Sequence, residues 1–415
     1  MTGATHFRPE AAALLEEPGL ARILAILDRD GEETRLVGGA LRNALLGRPV
    51  HEFDLATTAL PEVTMVRAAE AGLRAIPTGI EHGTVTVLVG HQPFEVTSLR
   101  EDIETDGRRA KVLFGRDFAA DARRRDFTMN ALSMTREGKL FDYVGGLADI
   151  EARKIRFIGE PAQRITEDYL RILRFFRFSA DFAEGPLDAA GLMAAMQNRE
   201  GLDRLSRERV RAELLKLFCA RRAAEVTSEI SNAGLLGPLL GAAPNPARLQ
   251  KLVAISGNAP ADPILRLAAL CVYMAEDAQR LREKLRLSNE EFQRLERVAK
   301  SLVPLHGSES PPQPQDLKAL LFHRGRQTAL DAIMLAQAEA CPSHDGQWET
   351  ARIFLRDTPE PRLPFSGADV MARGVANGRA IGEALKDLQV RWIDAGFPED
   401  PASLAHLLAE VGRPK

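Results

Sequence analysis

The feature that most constrains this chain is a change of hydrophobic period at Gly145-Gly146. Upstream, residues 83–89 and 94–99 alternate apolar and polar side chains across a turn at 90–93, the pattern of a β-hairpin. Further strands are expected at 35–37, 76–80 and around Ser133 and Phe141. Helices are expected at 8–30, interrupted at Pro18-Gly19, and at 61–72. Downstream, period-two signals nearly vanish. Amphipathic helical segments follow at 167–180, 208–219, 223–235, 262–274, 289–302, 316–322 and 327–340, with a last unit at 364–411. A Pro-rich stretch at 308–315 separates two of these groups. The expected fold class is α+β: an N-terminal mixed sheet with helices, then an all-α arm. At 415 residues, two to four domains are expected.

Within the first part, residues 36–57 hold a concentrated chemical pattern. An apolar run ends at Gly38-Gly39, a short helical segment follows at 40–46, and a turn at 47–49 leads to a strand carrying Glu52 and Asp54. Paired glycines let backbone N–H groups approach an anion, and a helix start just beyond them adds partial positive charge. Residues two apart on a strand share a face, so Glu52 and Asp54 point one way while Phe53 and Leu55 point into a core. Two hard oxygen donors beside a phosphate cradle suit Mg²⁺ held jointly by protein and a nucleoside triphosphate. Taken alone, the stretch is equally a glycine turn before a half-buried strand. Glu95 on the hairpin faces away from Phe94 and Val96 and is a third candidate carboxylate.

Two further constellations carry charge. Arg124-Arg125-Asp126 sets two guanidiniums, whose forks match phosphate oxygens, beside a carboxylate able to accept from ribose hydroxyls. In the segment 167–177, Asp168 and Arg171 are three apart, so on a helix they share a face. A carboxylate takes an exocyclic amino hydrogen while a guanidinium donates to the neighbouring ring nitrogen, a pattern that suits cytosine and adenine and mismatches uracil and guanine. An ordinary ion pair has the same spacing. A strand followed by the charged residues 100–116 suggests a mobile polar loop.

Composition limits the alternatives. The chain has no apolar run long enough to span a membrane, and residues 1–10 lack the pattern of a secretory leader. Its cysteines, Cys219, Cys271 and Cys341, are dispersed and odd in number, which argues for a reducing cytoplasm and against a disulfide framework or zinc cluster. Histidines are scattered, and a His-ligated metal is not expected. The net charge of −3 means that a nucleic acid would be met by local basic patches.

The order of these motifs is more specific than any one of them. Gly38-Gly39 with Arg42, Phe53-Asp54-Leu55-Ala56-Thr57, Glu95-Val96-Thr97, Arg124-Arg125-Asp126-Phe127-Thr128 with Asn130, Asp142 with Gly145-Gly146, and Glu167-Asp168 with Arg171, Arg174 and Arg177 occur in series. That series resembles the class II tRNA nucleotidyltransferase and bacterial poly(A) polymerase family of the polymerase β superfamily. The resemblance implies a catalytic head at 1–145, a helical neck at 146–220 that recognises the nucleobase, a helical body at 221–305 and a tRNA-binding tail at 306–415. It implies two Mg²⁺ ions, attack of a tRNA 3′-hydroxyl on the α-phosphate of CTP or ATP, and release of pyrophosphate. By position, Glu52 and Asp54 would bind metal, with Glu95 a weaker third catalytic carboxylate. Gly38, Gly39, Arg42, Arg124, Arg125, Asp126, Asp168, Arg171, Arg174 and Arg177 would bind nucleotide, Asp168 and Arg171 reading the base.

Two positions depart from the family pattern. Glu52 stands where Asp is usual, one methylene longer beside a metal that tolerates geometric error poorly. Asn43 follows Arg42 where Asp is common. The nearly neutral end at 401–415 and a pI of about 6.3 favour a restricted tRNA-end binder over a poly(A) polymerase holding arbitrary RNA. Addition of A only or of C only, and a catalytically silent RNA-binding relative, are the other readings.

Overall fold

A computed structural model describes residues 4–101 and 113–411. The charged loop expected at 100–116 lies largely outside the described residues, at 102–112. The chain forms two compact units: residues 1–213 with 220–226, and residues 214–219 with 227–415.

The first unit is built on a mixed eight-stranded sheet. Its strands are β1 (Ala4–His6), β2 (Thr34–Val37), β3 (Phe53–Thr57), β4 (Arg74–Gly79), β5 (Thr84–Val89), β6 (Gln92–Ser98), β9 (Ser133–Met134) and β10 (Leu140–Asp142), while the short β7 (Arg100–Glu101) and β8 (Leu113–Phe114) pair separately. The order across the sheet is β1-β10-β9-β2-β3-β6-β5-β4. The expected hairpin is β5–β6, in antiparallel register from Thr84↔Thr97 to Val89↔Gln92. Strand β3 pairs β6 in parallel, and β2 in antiparallel fashion on its other edge. Phe53 and Phe94, opposite each other across β3 and β6, are buried and stack with ring centroids 5.7 Å apart. That contact on the core face fixes the register, since a slip of one residue would turn every side chain to the other face.

The helices of this unit are α1 (Pro9–Ala12), α2 (Pro18–Leu27), α3 (Gly39–Leu45), α4 (Pro61–Glu70), α5 (Phe118–Arg124), α6 (Gly146–Glu151), α7 (Pro161–Glu167), α8 (Leu170–Phe182), α9 (Ala189–Gln197) and the first turns of α10 (Arg207–Cys219). The interruption expected at Pro18 is the start of α2, with Pro in the first turn and Glu17 accepting from the Leu20 amide. One expectation needs correction: residues 167–180 are not one helix. Asp168 is extended (φ −153°, ψ 107°), so α7 ends at Glu167 and α8 begins at Leu170. The Asp168 carboxylate accepts from the Leu170 amide at 3.0 Å, the local capping role in which aspartate competes with helix continuation.

Two close approaches hold the sheet to the helices that follow it. Asp142 accepts from the amides of Val144, Gly145, Gly146 and Leu147 at 2.9–3.1 Å, organising the entry to α6. Phe127 packs against Phe157 and Phe178 with centroids 4.9 and 5.2 Å apart, and Phe157 stacks on Phe175 at 5.5 Å. This aromatic group joins the 124–130 segment to α8.

The second unit is helical, running from the C-terminal part of α11 (Ala223–Asn232) to a last helix at Pro401–Ala409. Arg248, nearly fully buried, pairs with Glu339, and Arg294 joins Asp262 to the buried Asp331. Near its end, Trp392 and Phe397 pack edge to face at 4.9 Å within a core that includes Val370, Leu388 and Leu407.

A Cβ placed on Gly146 would lie 2.3 Å from the Thr128 carbonyl oxygen, a backbone atom that cannot swing aside. Gly146→Ala is therefore expected to destabilise the first unit by about 1–3 kcal/mol through overpacking, read as a lower denaturant midpoint. An unchanged midpoint would contradict the stated packing.

Candidate active site

The site forms where β2 and β3 end beside α3. Strand β2 stops at Gly38, whose φ of +73° is a conformation that a side chain rarely adopts. A Cβ there would lie 3.2 Å from Arg125 Nη1 and 3.9 Å from Asp54 Oδ2. The missing side chain thus leaves open the space between a guanidinium and a carboxylate. Gly39 opens α3, and Arg42 follows one turn later.

On β3 the burial alternates as expected: Glu52 exposed, Phe53 buried, Asp54 exposed, Leu55 buried. Glu52 lies one residue before the strand rather than on it, yet keeps to the Asp54 side. Asp54 and Glu95 are register partners on adjacent parallel strands, a spacing of about 4.8 Å between chains. Partial burial, then the Glu95 charge, raise the Asp54 pKa, and Glu52 adds to this while Arg125 opposes it. Around Asp54 itself the Glu95 and Glu52 carboxylates oppose the Arg125 cation, a local grouping of acids that fits a hard cation. No three His, Cys, Asp or Glu side chains among the described residues converge closely enough to hold a metal alone. A carboxylate pair that needs further ligands suits Mg²⁺, which is commonly held by one or two carboxylates and substrate phosphates.

A cleft of about 550 Å³ opens from these strands, lined by Gly38, Gly39, Arg42, Glu52, Asp54, Arg125, Asp126, Asn130, Asp168, Arg171, Arg174 and Phe178. Ten of the thirteen candidate residues thus meet in one place. Arg124, Arg177 and Glu95 are not among its lining residues. Arg124 is engaged with Asp121, which also accepts from Arg125 Nε at 3.1 Å. Arg177 donates to Glu213 at 2.5 Å. Glu95 acts on the site through Asp54.

The arginines around the cleft are fixed by specific partners. Arg42 is buried against the Phe182 ring, 4.0 Å from its centroid, and donates to Asn130 Oδ1 at 2.6 Å and to Asn43 Oδ1 at 2.9 Å. Burial, with the nearby Arg177 and Arg48 charges, pushes its pKa down to about 10, so it remains cationic at neutral pH. Asn43 also donates to the Pro49 carbonyl at 3.2 Å. An aspartate could not make that second bond, so the departure from the family pattern serves the turn after α3. Asp126 is buried, which opposes its ionisation, but Arg174, Asn130 and the Phe127 amide more than offset this and hold its pKa below the usual carboxylate range. Arg174 reaches Asp126 Oδ2 from α8 with its Nε at 2.8 Å.

Asp168 and Arg171 both reach the cleft, from the break before α8 and from its first turn. Their side chains are bonded to other partners. Asp168 Oδ2 accepts from Arg209 at 2.8 Å, while Arg171 Nη1 donates to Glu167 and to the Arg164 carbonyl. Asn130 and Phe178 line the cleft without having been assigned a role from the sequence, and Asn130 is the polar one. Its amide accepts from Arg42 and donates to Asp126 Oδ1 at 3.1 Å, joining the glycine-turn side of the cleft to the α8 side. Its position four residues after Asp126, just beyond the charged run 123–126, was the available signal.

Comparison with known proteins agrees with this geometry. A family model described as "Poly A polymerase head domain" matches residues 34–156, and one described as "Probable RNA and SrmB- binding site of polymerase A" matches residues 191–246. The chain is 33% identical over 400 residues to "CCA tRNA nucleotidyltransferase 1, mitochondrial" of Homo sapiens, covering 94% of this chain and 89% of that one. It is 30% identical over 404 residues to the "CCA-adding enzyme" of Levilactobacillus brevis, covering 94% and 98%. The crystal structure of the Bacillus stearothermophilus CCA-adding enzyme in complex with CTP superposes with a TM-score of 0.72 at 28% identity, covering 97% of both chains. The mixed-sheet unit with its glycine turn and strand carboxylates, and likeness over nearly the full length of these relatives, place the chain in the metal-dependent CCA-adding tRNA nucleotidyltransferase family of the polymerase β superfamily.

Proposed function

We propose that this protein adds C, C and A to the 3′ end of tRNA from CTP and ATP, without a nucleic-acid template, releasing pyrophosphate. The observation that carries the reading is the meeting of Glu52 and Asp54 with Arg42, Arg125, Arg171 and Arg174 in one cleft, with Glu95 in register beside Asp54 on the next strand. Names of relatives over nearly the whole chain and the CTP complex of a structural neighbour support the substrates. Asp54 and Glu52 would hold Mg²⁺, two ions by analogy with the family, and Glu95 would keep the local field negative. When bound, the metal lowers the pKa of the attacking 3′-hydroxyl and neutralises charge on the triphosphate. Gly38 leaves room beside Asp54, Gly39 begins the adjoining helix, and Arg125 presents a cation across that space. Arg42 and Arg174, held by Asn130 and Asp126, supply positive potential. Arg124 and Arg177 act from outside the lining, by ordering Asp121 and α8.

Asp168 and Arg171 would read the base edge: the carboxylate accepts the amino hydrogen of C or A, and the guanidinium donates to the ring nitrogen. For either to do so, one existing bond, to Arg209 or Glu167, is shared or exchanged. The head (1–145) and neck (146–220) would then act in catalysis and base choice, and the body (221–305) and tail (306–415) in holding tRNA. Three free thiols, at Cys219, Cys271 and Cys341, support a reducing, cytoplasmic setting, and no helix among the described residues is long and apolar enough to cross a membrane.

Three outcomes follow. With tRNAs ending before, within and just short of CCA, and with oligo(A), the enzyme incorporates C, C and A and then stops; long A tracts would instead identify a poly(A) polymerase. Asp54→Asn lowers this incorporation by about a thousand-fold or more, as expected when a ligand of the catalytic metal is lost, whereas Glu52→Asp keeps or raises it; full activity in Asp54→Asn would refute the metal assignment. Asp54 also carries a stability signature. Its raised native pKa means that the folded state binds this proton more tightly than the unfolded state, so the penalty is present above the native pKa and disappears as pH falls below it. Asp54→Asn should therefore melt slightly above wild type in metal-free buffer at pH 7, the two curves converging on acidification. A variant that melts lower at pH 7 would contradict the charge argument.

A further inference from the structure

The break that presents Asp168 is gripped by a second element. Between Asp168 and the start of α8, Tyr169 lays its ring against the backbone of Gly201, in the 3₁₀ turn Arg199–Arg204. A Cβ built on Gly201 would fall 1.8 Å from Tyr169 Cδ1, 2.1 Å from Cε1 and 2.3 Å from Cγ. Because Cγ is at the base of the ring, the whole side chain would have to move, and not its tip alone. Gly201 is buried and is not among the residues with positive φ. Glycine is therefore required there for the absence of a side chain and not for backbone freedom. The Arg204 guanidinium lies over the same ring, 5.5 Å from its centroid. Arg209, shortly beyond, donates to Asp168 Oδ2 at 2.8 Å.

The consequence is geometric. Tyr169 is flanked by the base-reading carboxylate and by Leu170, whose amide caps onto that carboxylate at 3.0 Å. The Arg171 amide in turn donates to the Asp168 carbonyl at 3.0 Å. A displaced Tyr169 therefore moves both groups together. Base-edge hydrogen bonds weaken steeply with small errors of distance and angle, so discrimination is more sensitive to this shift than folding is. We propose that Gly201 is a specificity-positioning residue: its bare backbone seats Tyr169 and thereby sets the orientation in which Asp168 and Arg171 meet the incoming base. This rests on the base-reading role proposed above for that pair.

The test uses the full chain and one tRNA lacking CCA, and compares kcat/KM for CTP with that for UTP. A loss of folded enzyme scales both values equally and leaves their ratio unchanged. Gly201→Ala should lower the C-to-U ratio about ten-fold or more, an effect of the size that sub-ångström to ångström misplacement produces. Tyr169→Ala should lower it as well. The double variant should be no worse than Tyr169→Ala alone, because the clash needs both partners. A folded Gly201→Ala enzyme with the wild-type ratio, or losses that multiply in the double variant, would overturn the inference. If Gly201→Ala does not fold, an unchanged ratio in Tyr169→Ala overturns it. Asp168→Asn separates the two levels. If that variant keeps the wild-type ratio, base reading by Asp168 fails and the inference falls with it. If it loses the ratio while Gly201→Ala does not, only the positioning role fails.

Discussion

Like charges held side by side are the constraint on which this site depends. Asp54 and Glu95 sit in register on adjacent parallel strands because Phe53 and Phe94 stack beneath them on the core face. Neither carboxylate can leave without breaking the alternation that buries its neighbours. Hydrophobic packing thus enforces an electrostatic arrangement that is unfavourable by itself: burial first, and the Glu95 charge second, raise the Asp54 pKa. A site that is uncomfortable without a cation and comfortable with one is a site prepared for a cation. Gly38 extends the same logic to the backbone: glycine takes a φ that a side chain would make strained, where that side chain would also fill the space between Asp54 and Arg125.

The positive side of the cleft is constructed differently. Arg42, Arg125 and Arg174 are each tied to a named acceptor: Asn130 and Asn43, Asp121, and Asp126. Such ties hold planar guanidiniums in fixed directions and reduce the entropy lost when a phosphate arrives. They also limit what each arginine can do. Arg42 spends its donors largely on two amide oxygens and stacks on Phe182, so it contributes field and shape more than a free fork. Asn130 is the link, since one amide touches partners on both sides of the cleft.

How much of this was legible in the sequence depended on how local each signal was. The hairpin, the glycine turn and the in–out alternation from Glu52 to Leu55 depend on neighbours along the chain, and period two with turn residues marks them. The break at Asp168 was harder to see. Apolar spacing on both sides fits one continuous helix, and only the capping habit of aspartate argued otherwise. The link from Asn130 to Arg42 and the seat of Tyr169 on Gly201 were harder still to read, because these partners are far apart in sequence and meet only after folding. The same holds for Arg177, whose place in a motif says nothing of its bond to Glu213.

Base choice by a protein surface demands more precision than phosphate binding does, and the two halves of the cleft differ accordingly. A triphosphate is met by dispersed positive charge, which tolerates error because Coulomb energy falls slowly with distance. A base edge is read by one acceptor and one donor whose separation must match two ring substituents. The proposed base-reading role is compatible with the position of Asp168 off a regular helix face. An extended residue between two helices can be directed by contacts from outside the helix: Leu170 from one side, Arg209 from another, and the Tyr169–Gly201 contact between them. A helix would have fixed the spacing of Asp168 and Arg171 at one value, whereas the break lets distant residues set it. Under the proposed base-reading role, the motif at 167–177 is incomplete as a description of specificity, because contacts that hold Asp168 and Tyr169 are encoded some thirty to forty residues later in the chain.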